Sequence, residues 1–231
     1  MTATPMTVLS TATDPAFLRR YRGFIFDCDG VLIDSYAANT AYYNQYRKHF
    51  NLPPMSKEEA DATHVLNVFE SLRRIVPPEL YEAAVAYRME LDYREILPYL
   101  RREDGVRRLL RWLRGGGFLL GVNTNRMDTM PLVLNTLDME GFFHPVMTSA
   151  TVTNPKPDPE GVNTILADWG LGRDEVAFLG DSSVDEKTAR NAGVTFWAYK
   201  NPALGADLHI PDFHTLQAAL VQAWPEHSPH P

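Results

Sequence analysis

The 231-residue sequence contains a single cysteine, Cys28, so no intrachain disulfide can form and nothing demands an oxidising compartment. No stretch reaches the roughly 18 consecutive apolar residues of a membrane-spanning helix. The opening residues, MTATPMTVLSTATDP, have neither a basic start nor a sustained apolar run. These absences set the expectation of a cytoplasmic protein without a membrane partner. Positive charge is also scarce: 22 Lys and Arg stand against 29 Asp and Glu, a net charge of −7. No nucleic-acid partner is therefore expected, and an anionic substrate needs a local cationic or metal site. A Gly-x-Ser-x-Gly elbow, a His-Glu-x-x-His pair and a Walker loop are all missing, so those hydrolase designs find no support.

What remains is an ordinary globular mixture, 45% hydrophobic and 22% charged. At about 150 residues per domain, the length fits one full domain and a smaller insert. Short apolar runs at 23–26, 118–122, 176–179 and 194–199, with a weaker one at 145–148, read as buried strands. Helical patterns at 106–113, 130–137, 159–169 and 185–191 alternate with them, and Gly115-Gly116-Gly117 supplies a stop before the second run. This alternation predicts an α/β fold with a doubly wound parallel sheet. Residues 36–97 differ, with helical spacings at 38–46, 57–75 and 79–96 and no convincing strand. They form a predicted helical insert after the first strand, bordered by Pro53-Pro54, Pro77-Pro78 and Pro98. The expected organisation is a mobile arm over 1–19, core segments over 20–35 and 98–218, and the insert between them. Monomer and homodimer are the default oligomeric states.

In such sheets the ligand site lies beyond the carboxyl ends of the strands, where Asp27, Thr124 and Asp181 all fall. FIFDCDGVLIDS places Asp27 and Asp29 two positions apart, on one side of an extended backbone. Paired carboxylates shift one pKa upward or recruit a divalent cation; the same letters also describe a plain strand-to-turn sequence. In GDSSVDEKTARNAG, Asp181 and Asp185 sit one helical turn apart, a spacing that serves equally to cap a helix. Thr124 and Asn125 offer a hydroxyl and backbone amides to phosphoryl oxygens, or simply make a turn. Lys156 lies among Pro155, Pro157 and Pro159, a loop ordered in advance for binding an anion. Cys28, by alternation, points to the opposite side from the two acids and reads as a packing residue.

Taken together and in this order, FDCDGVLIDS, NTN, NPKPDPEG and GDSSVDEKTARNAG resemble the four motifs of the haloacid dehalogenase superfamily. LPYLRREDGVRRLLRWLRGGG and ADLHIPDFHTLQAAL are similar to its flanking elements. The resemblance implies a Rossmann-like core with a small helical cap. It implies a phosphoric monoester hydrolase in which Asp27 is the nucleophile that forms an aspartyl-phosphate and Asp29 is the acid/base. It further implies Mg²⁺ held by Asp27, the backbone carbonyl of Asp29 and Asp181, with Asp185 as second shell or extra ligand. Thr124, Asn125 and Lys156 would hold the phosphoryl group. Members that cleave carbon–halogen bonds lack the second carboxylate of the first motif, so Asp29 points to phosphate chemistry. The implied substrate is a small-molecule phosphate ester of the phosphoglycolate or sugar-phosphate type.

Two alternatives stay in view. β-Phosphoglucomutase-like mutases share the motifs but carry a histidine twelve positions after the nucleophile, where this sequence has Asn39. A non-catalytic binding protein with the same fold would be expected to lose an acid or the lysine, and all are present. His64, Asn67 and Arg73 fall near positions where such caps face substrate but read first as a solvated helix face. Tyr42, Tyr43 and Tyr46 read as packing residues. Arg107, Arg108, Arg111 and Arg114 form a solvated basic face opposite a leucine stripe. Arg126 has three readings: a partner of Asp128, a surface residue, or a contact to a substrate anion.

Overall fold

A segment such as Gly-Phe-Ile-Phe is apolar on both faces of an extended backbone, so it is stable only where both faces are covered. In the computed structural model, which describes residues 8–10, 13–66 and 68–227, Gly23–Phe26 is the fully buried strand β1. It pairs in parallel with β4 (Leu119–Asn123) on one side and β6 (Val176–Gly180) on the other. β5 (Val146–Met147) adds to β4, while β7 (Thr195–Tyr199) and β8 (Leu208–Ile210) continue beyond β6. The sheet order is β5-β4-β1-β6-β7-β8, the doubly wound α/β arrangement expected from the alternation. Two-residue strands, β2 (Ile33–Asp34) and β3 (Arg101–Arg102), mark the two points where the chain leaves and rejoins this unit.

The crossover helices are α6 (Val106–Gly115), α7 (Met130–Thr136), α8 (Glu160–Trp169) and α9 (Ser183–Ala192), followed by α10 (Phe213–Ala223). In α6 the residues Val106, Leu109, Leu110 and Leu113 are buried as a stripe, as their spacing predicts. Its arginines are more than a solvated face: Arg107 Nε donates to the Asp138 carbonyl at 3.1 Å, and Arg114 Nη1 to the Gly141 and Phe142 carbonyls at 2.6 and 2.8 Å. They satisfy carbonyls of the α7–β5 connection that the loop itself leaves unpaired.

Among the described residues of the segment read as an arm, most are exposed and two, Leu9 and Leu18, are packed. Leu9 N donates to the His209 carbonyl at 2.9 Å, and Val8 bridges the same strand. A short helix, α1 (Pro15–Arg19), is capped by Asp14. Leu9 and Leu18 are buried, and an edge strand such as β8 offers unpaired backbone groups to whatever segment lies beside it.

The second compact unit runs from Asp34 to Arg101. It contains α2 (Tyr36–His49), α3 (Lys57–Val65), α4 (Val68–Ile75) and α5 (Tyr81–Tyr87), and is the helical insert of the sequence reading. Its core is Tyr43, Tyr46, Leu72, Ile75, Val76 and Ala84. The three tyrosines pack together, with the Tyr42 and Tyr46 hydroxyls 2.8 Å apart. The helix expected over 57–75 is broken where Leu66 turns extended, at ψ 155°. The one expected over 79–96 is divided as well: α5 ends at Tyr87, and Asp92 caps a separate 3-10 turn over Tyr93–Glu95. Arg73 lies 4.9 Å over the Tyr81 ring. His64 Nδ1 is 3.3 Å from Asn39 Nδ2, and its ring meets Tyr36 edge-on. Asn67 lies outside the described residues.

Candidate active site

Three parallel strands end side by side, and each delivers a polar residue. Beyond β1, Asp27 N still donates to the Leu179 carbonyl at 2.9 Å, so the Asp27 backbone is held by the sheet. The chain then turns sharply, with the Cys28 carbonyl accepting from Leu32 and Ile33. Gly30 makes that turn possible: its φ is +75°, and a Cβ there would run into the Asp181 carboxylate. Beyond β6, Asp181 is fixed through its own carbonyl, which accepts from Asn201 Nδ2 at 2.8 Å. Beyond β4, Thr124 N donates to the Met147 carbonyl at 3.0 Å, and the Thr124 side chain is buried.

Lys156 joins these strand ends. Its Nζ donates to Asp27 Oδ1 at 2.8 Å and to Asp185 Oδ1 at 2.6 Å, and the residue is only 8% exposed. Its loop is tied at two carbonyls: Asn125 Nδ2 donates to that of Lys156 at 3.1 Å, and Asn191 Nδ2 to that of Pro157 at 3.0 Å. Asp185 is fully buried in α9, where its other oxygen accepts from Ser182 N and Oγ at 3.1 and 2.6 Å in a capping box. The capping and charge readings of Asp185 are therefore both realised, one on each oxygen.

Asp27, Asp181 and Asp185 each offer a carboxylate oxygen within 4.8 Å of the others. Three carboxylates against one ammonium leave a surplus of negative charge. Burial, then the charge of Asp185, pushes the Asp27 carboxyl up to about 8 despite Lys156. The same two causes push Asp181 up to about 7. Burial alone would lower the Lys156 ammonium, but Asp185 and Asp27 outweigh it and raise the group. An acidic oxygen-donor set with uncompensated charge fits a small hard cation such as Mg²⁺, which takes one or two carboxylates and keeps water.

Residues 24–199 match the profile of the haloacid dehalogenase-like hydrolases, well over half of the chain. The chain belongs to that family. A hydrolase of this superfamily, subfamily IA, from Geobacter sulfurreducens is 36% identical in its crystal structure, with a TM-score of 0.79 over 87% of this chain and 97% of that one. Pyrophosphatase PpaX of Listeria innocua is 29% identical over 197 residues, covering 82% of this chain and 89% of its own length. Phosphoglycolate phosphatase 1 of Pseudomonas aeruginosa is 28% identical over 196 residues, covering 80% and 71% respectively.

In this hydrolase the seven residues singled out from sequence are not all placed alike. Asp27, Lys156, Asp181 and Asp185 form one cluster, buried except for the half-buried Asp181. Thr124 Oγ1 accepts from Arg126 N at 3.2 Å, so its own proton is directed elsewhere. The Asn125 side chain, by contrast, is committed to the lysine loop. Asp29 is engaged apart from the lysine, by Arg126, whose Nε and Nη2 donate to its two oxygens at 2.6 and 2.7 Å. This ion pair with a distant acid was not among the readings considered from sequence, and it takes Arg126 out of the free surface position. The one sequence cue to Arg126 was its place directly after the strand-end Thr124 and Asn125. Asn191 and Asn201 carried no cue at all, being ordinary asparagines until the fold brings them to these carbonyls. Cys28 is buried, and burial followed by the Asp29 charge raises its thiol well above the ordinary range, which suits packing rather than redox chemistry.

Proposed function

We propose that this hydrolase is a Mg²⁺-dependent phosphatase acting on a small phosphomonoester through an aspartyl-phosphate on Asp27. The observation that carries this reading is the Lys156 ammonium set between Asp27 and Asp185, beside Asp181. Lys156 occupies Oδ1 of Asp27, which leaves Oδ2 as the oxygen to attack phosphorus. The bond formed is Asp27 Oδ2 to phosphorus, and the bond broken is phosphorus to the alkoxide of the substrate. Water then cleaves the acyl phosphate, so one slow hydrolysis becomes two easier transfers.

Thr124 Oγ1 and Lys156 Nζ would each donate to phosphoryl oxygens. Asn125 serves this arrangement by anchoring the Lys156 carbonyl, and its backbone amide is the group it can turn toward phosphate. Asp29 would give a proton to the departing alkoxide and then take one from the attacking water. Asp27, Asp181 and the Asp29 carbonyl would hold Mg²⁺, which offsets the charge between an anionic phosphate and a carboxylate. Asp185, with one oxygen on Lys156 and the other on Ser182, acts as the orienter behind them.

The test is hydrolysis of an aryl phosphate by the purified protein with Mg²⁺, with EDTA, and as Asp27→Asn. Turnover that needs Mg²⁺ and disappears in Asp27→Asn is expected. Full turnover by Asp27→Asn would remove Asp27 as nucleophile.

A further inference from the structure

The pairing of Asp29 with Arg126 poses a chemical problem. A general acid/base needs an oxygen facing the leaving group, yet a guanidinium fork occupies both oxygens of Asp29, at 2.6 and 2.7 Å. The pair is lopsided in solvent access: the Arg126 side chain is 10% exposed and that of Asp29 37%. Arg126 is also secured at its root. Its N–H donates to Thr124 Oγ1 at 3.2 Å, and its carbonyl accepts from Ser149 N at 2.9 Å and Ser149 Oγ at 3.1 Å. Nη1 reaches Thr129 Oγ1 at 3.4 Å. The backbone of Arg126 is thus fixed beside the strand end, and its planar head is aimed at an oxyanion.

A guanidinium fork binds a carboxylate or a phosphate with the same two-point geometry. A substrate whose leaving group carries its own oxyanion, a few bonds from the oxygen that Asp29 must serve, brings a competitor for that fork. We propose that Arg126 is the receptor for this second anion, and that its transfer from Asp29 to the substrate frees Asp29 to face the leaving oxygen. The exchange is charge-neutral, since one oxyanion replaces another on the same cation. The inference rests on the phosphatase reading above, restricts its monoesters to those with a second carboxylate or phosphate close to the scissile bond, and admits a phosphoanhydride on the same ground. Arg126 then acts twice, as a specificity residue through the substrate and as a positioning residue through Asp29.

Steady-state kinetics of wild type, Arg126→Gln and Arg126→Lys would be compared on phenyl phosphate, inorganic pyrophosphate and phosphoglycolate. Loss of a charge-assisted fork predicts that Arg126→Gln loses about ten- to hundredfold more kcat/KM on a substrate with a second anion than on phenyl phosphate, mostly through KM. Arg126→Lys should recover part of that difference as a point charge, and it also serves if the glutamine variant folds poorly. A selective loss on pyrophosphate or on phosphoglycolate alone identifies the second anion as phosphate or carboxylate. Equal losses on all three substrates, or no selective loss on either pyrophosphate or phosphoglycolate, would overturn the inference while leaving the phosphatase reading intact. Wild type that hydrolyses none of the three would sink the underlying reading itself.

Discussion

Two cation–carboxylate centres stand at the ends of the central strands, and they are built differently. In the first, Lys156 is sealed between Asp27 and Asp185, with side-chain exposures of 4, 10 and 0%. In the second, Arg126 grips Asp29, which remains 37% exposed. Asp27 and Asp29 leave the same strand two residues apart, so the difference arises from what the fold brings to each. The buried centre is assembled from the ends of β1 and β6, a tied loop and the first turn of α9, so its geometry is fixed before any ligand arrives. The second centre joins one loop residue to one turn residue at the edge of solvent, where an ion pair can be exchanged. A nucleophile gains from the first design, because fixed geometry removes the entropy of alignment. An acid/base that must meet the leaving group gains from the second.

The largest expected effect separates the centres by chemistry. Asp27→Asn should lower aryl phosphate turnover by about a thousandfold or more, measured against wild type at saturating Mg²⁺, because it removes the attacking group itself. Turnover within a few-fold of wild type would place the nucleophile elsewhere.

Next comes stability. Lys156→Met leaves Asp27 and Asp185 buried without their cation, and breaking a buried pair in this way costs about 3–5 kcal/mol. Urea denaturation should show that loss, whereas removing Arg126 should cost clearly less, because the partner it leaves behind, Asp29, is 37% exposed and reaches water. Equal costs would erase the distinction between a sealed centre and an open one.

Asp29→Asn should distinguish substrates by leaving group. Hydrolysis of phosphoglycolate, an alkyl phosphate that carries a second anion for Arg126, should fall about a hundredfold or more, while nitrophenyl phosphate, whose leaving group needs little proton assistance, should fall much less. Comparable losses on both would argue against proton donation by Asp29.

The smallest effect is a pH-dependent stabilisation by metal. Asp27 and Asp181 are raised by burial and by Asp185 to about 8 and about 7. Carboxyls raised on folding contribute stability that is fully present below their ordinary range near 4 and is lost as pH rises through about 7 and 8. The metal-free chain should therefore weaken across that window. Mg²⁺ should increase Tm more at about pH 8.5 than at about pH 5.5, with a gain of about 2.7 kcal/mol at a hundred times its Kd. A Tm gain independent of pH would mean that the ion does not sit among these carboxylates.

The sealed centre was also the legible one. Asp27, Thr124 and Asp181 follow apolar runs that read as buried strands, and parallel pairing aligns their ends. Lys156 stood out because its flanking prolines restrain the loop. The Arg126–Asp29 pair was hidden because its members lie 97 positions apart, and a nearer acid, Asp128, offered a local explanation. The helical unit was legible in kind but not in detail. Its helical spacings continue through Leu66 and through 88–92, where the backbone nevertheless turns, since periodicity records which face is buried and not where a helix stops. In the arm, Leu9 and Leu18 were isolated apolar residues in a polar context, and only the edge of β8 and the packing beneath α1 and α10 give them a place.

The central claim is a covalent phosphoryl group on one carboxylate, and rapid acid quench followed by peptide mass mapping tests it most directly. During turnover of an aryl phosphate with Mg²⁺, a phosphoryl adduct should accumulate on the peptide containing Asp27 and be absent from the same peptide of Asp27→Asn. Steady turnover with no adduct at any quench time, or an adduct on another peptide, would contradict the account.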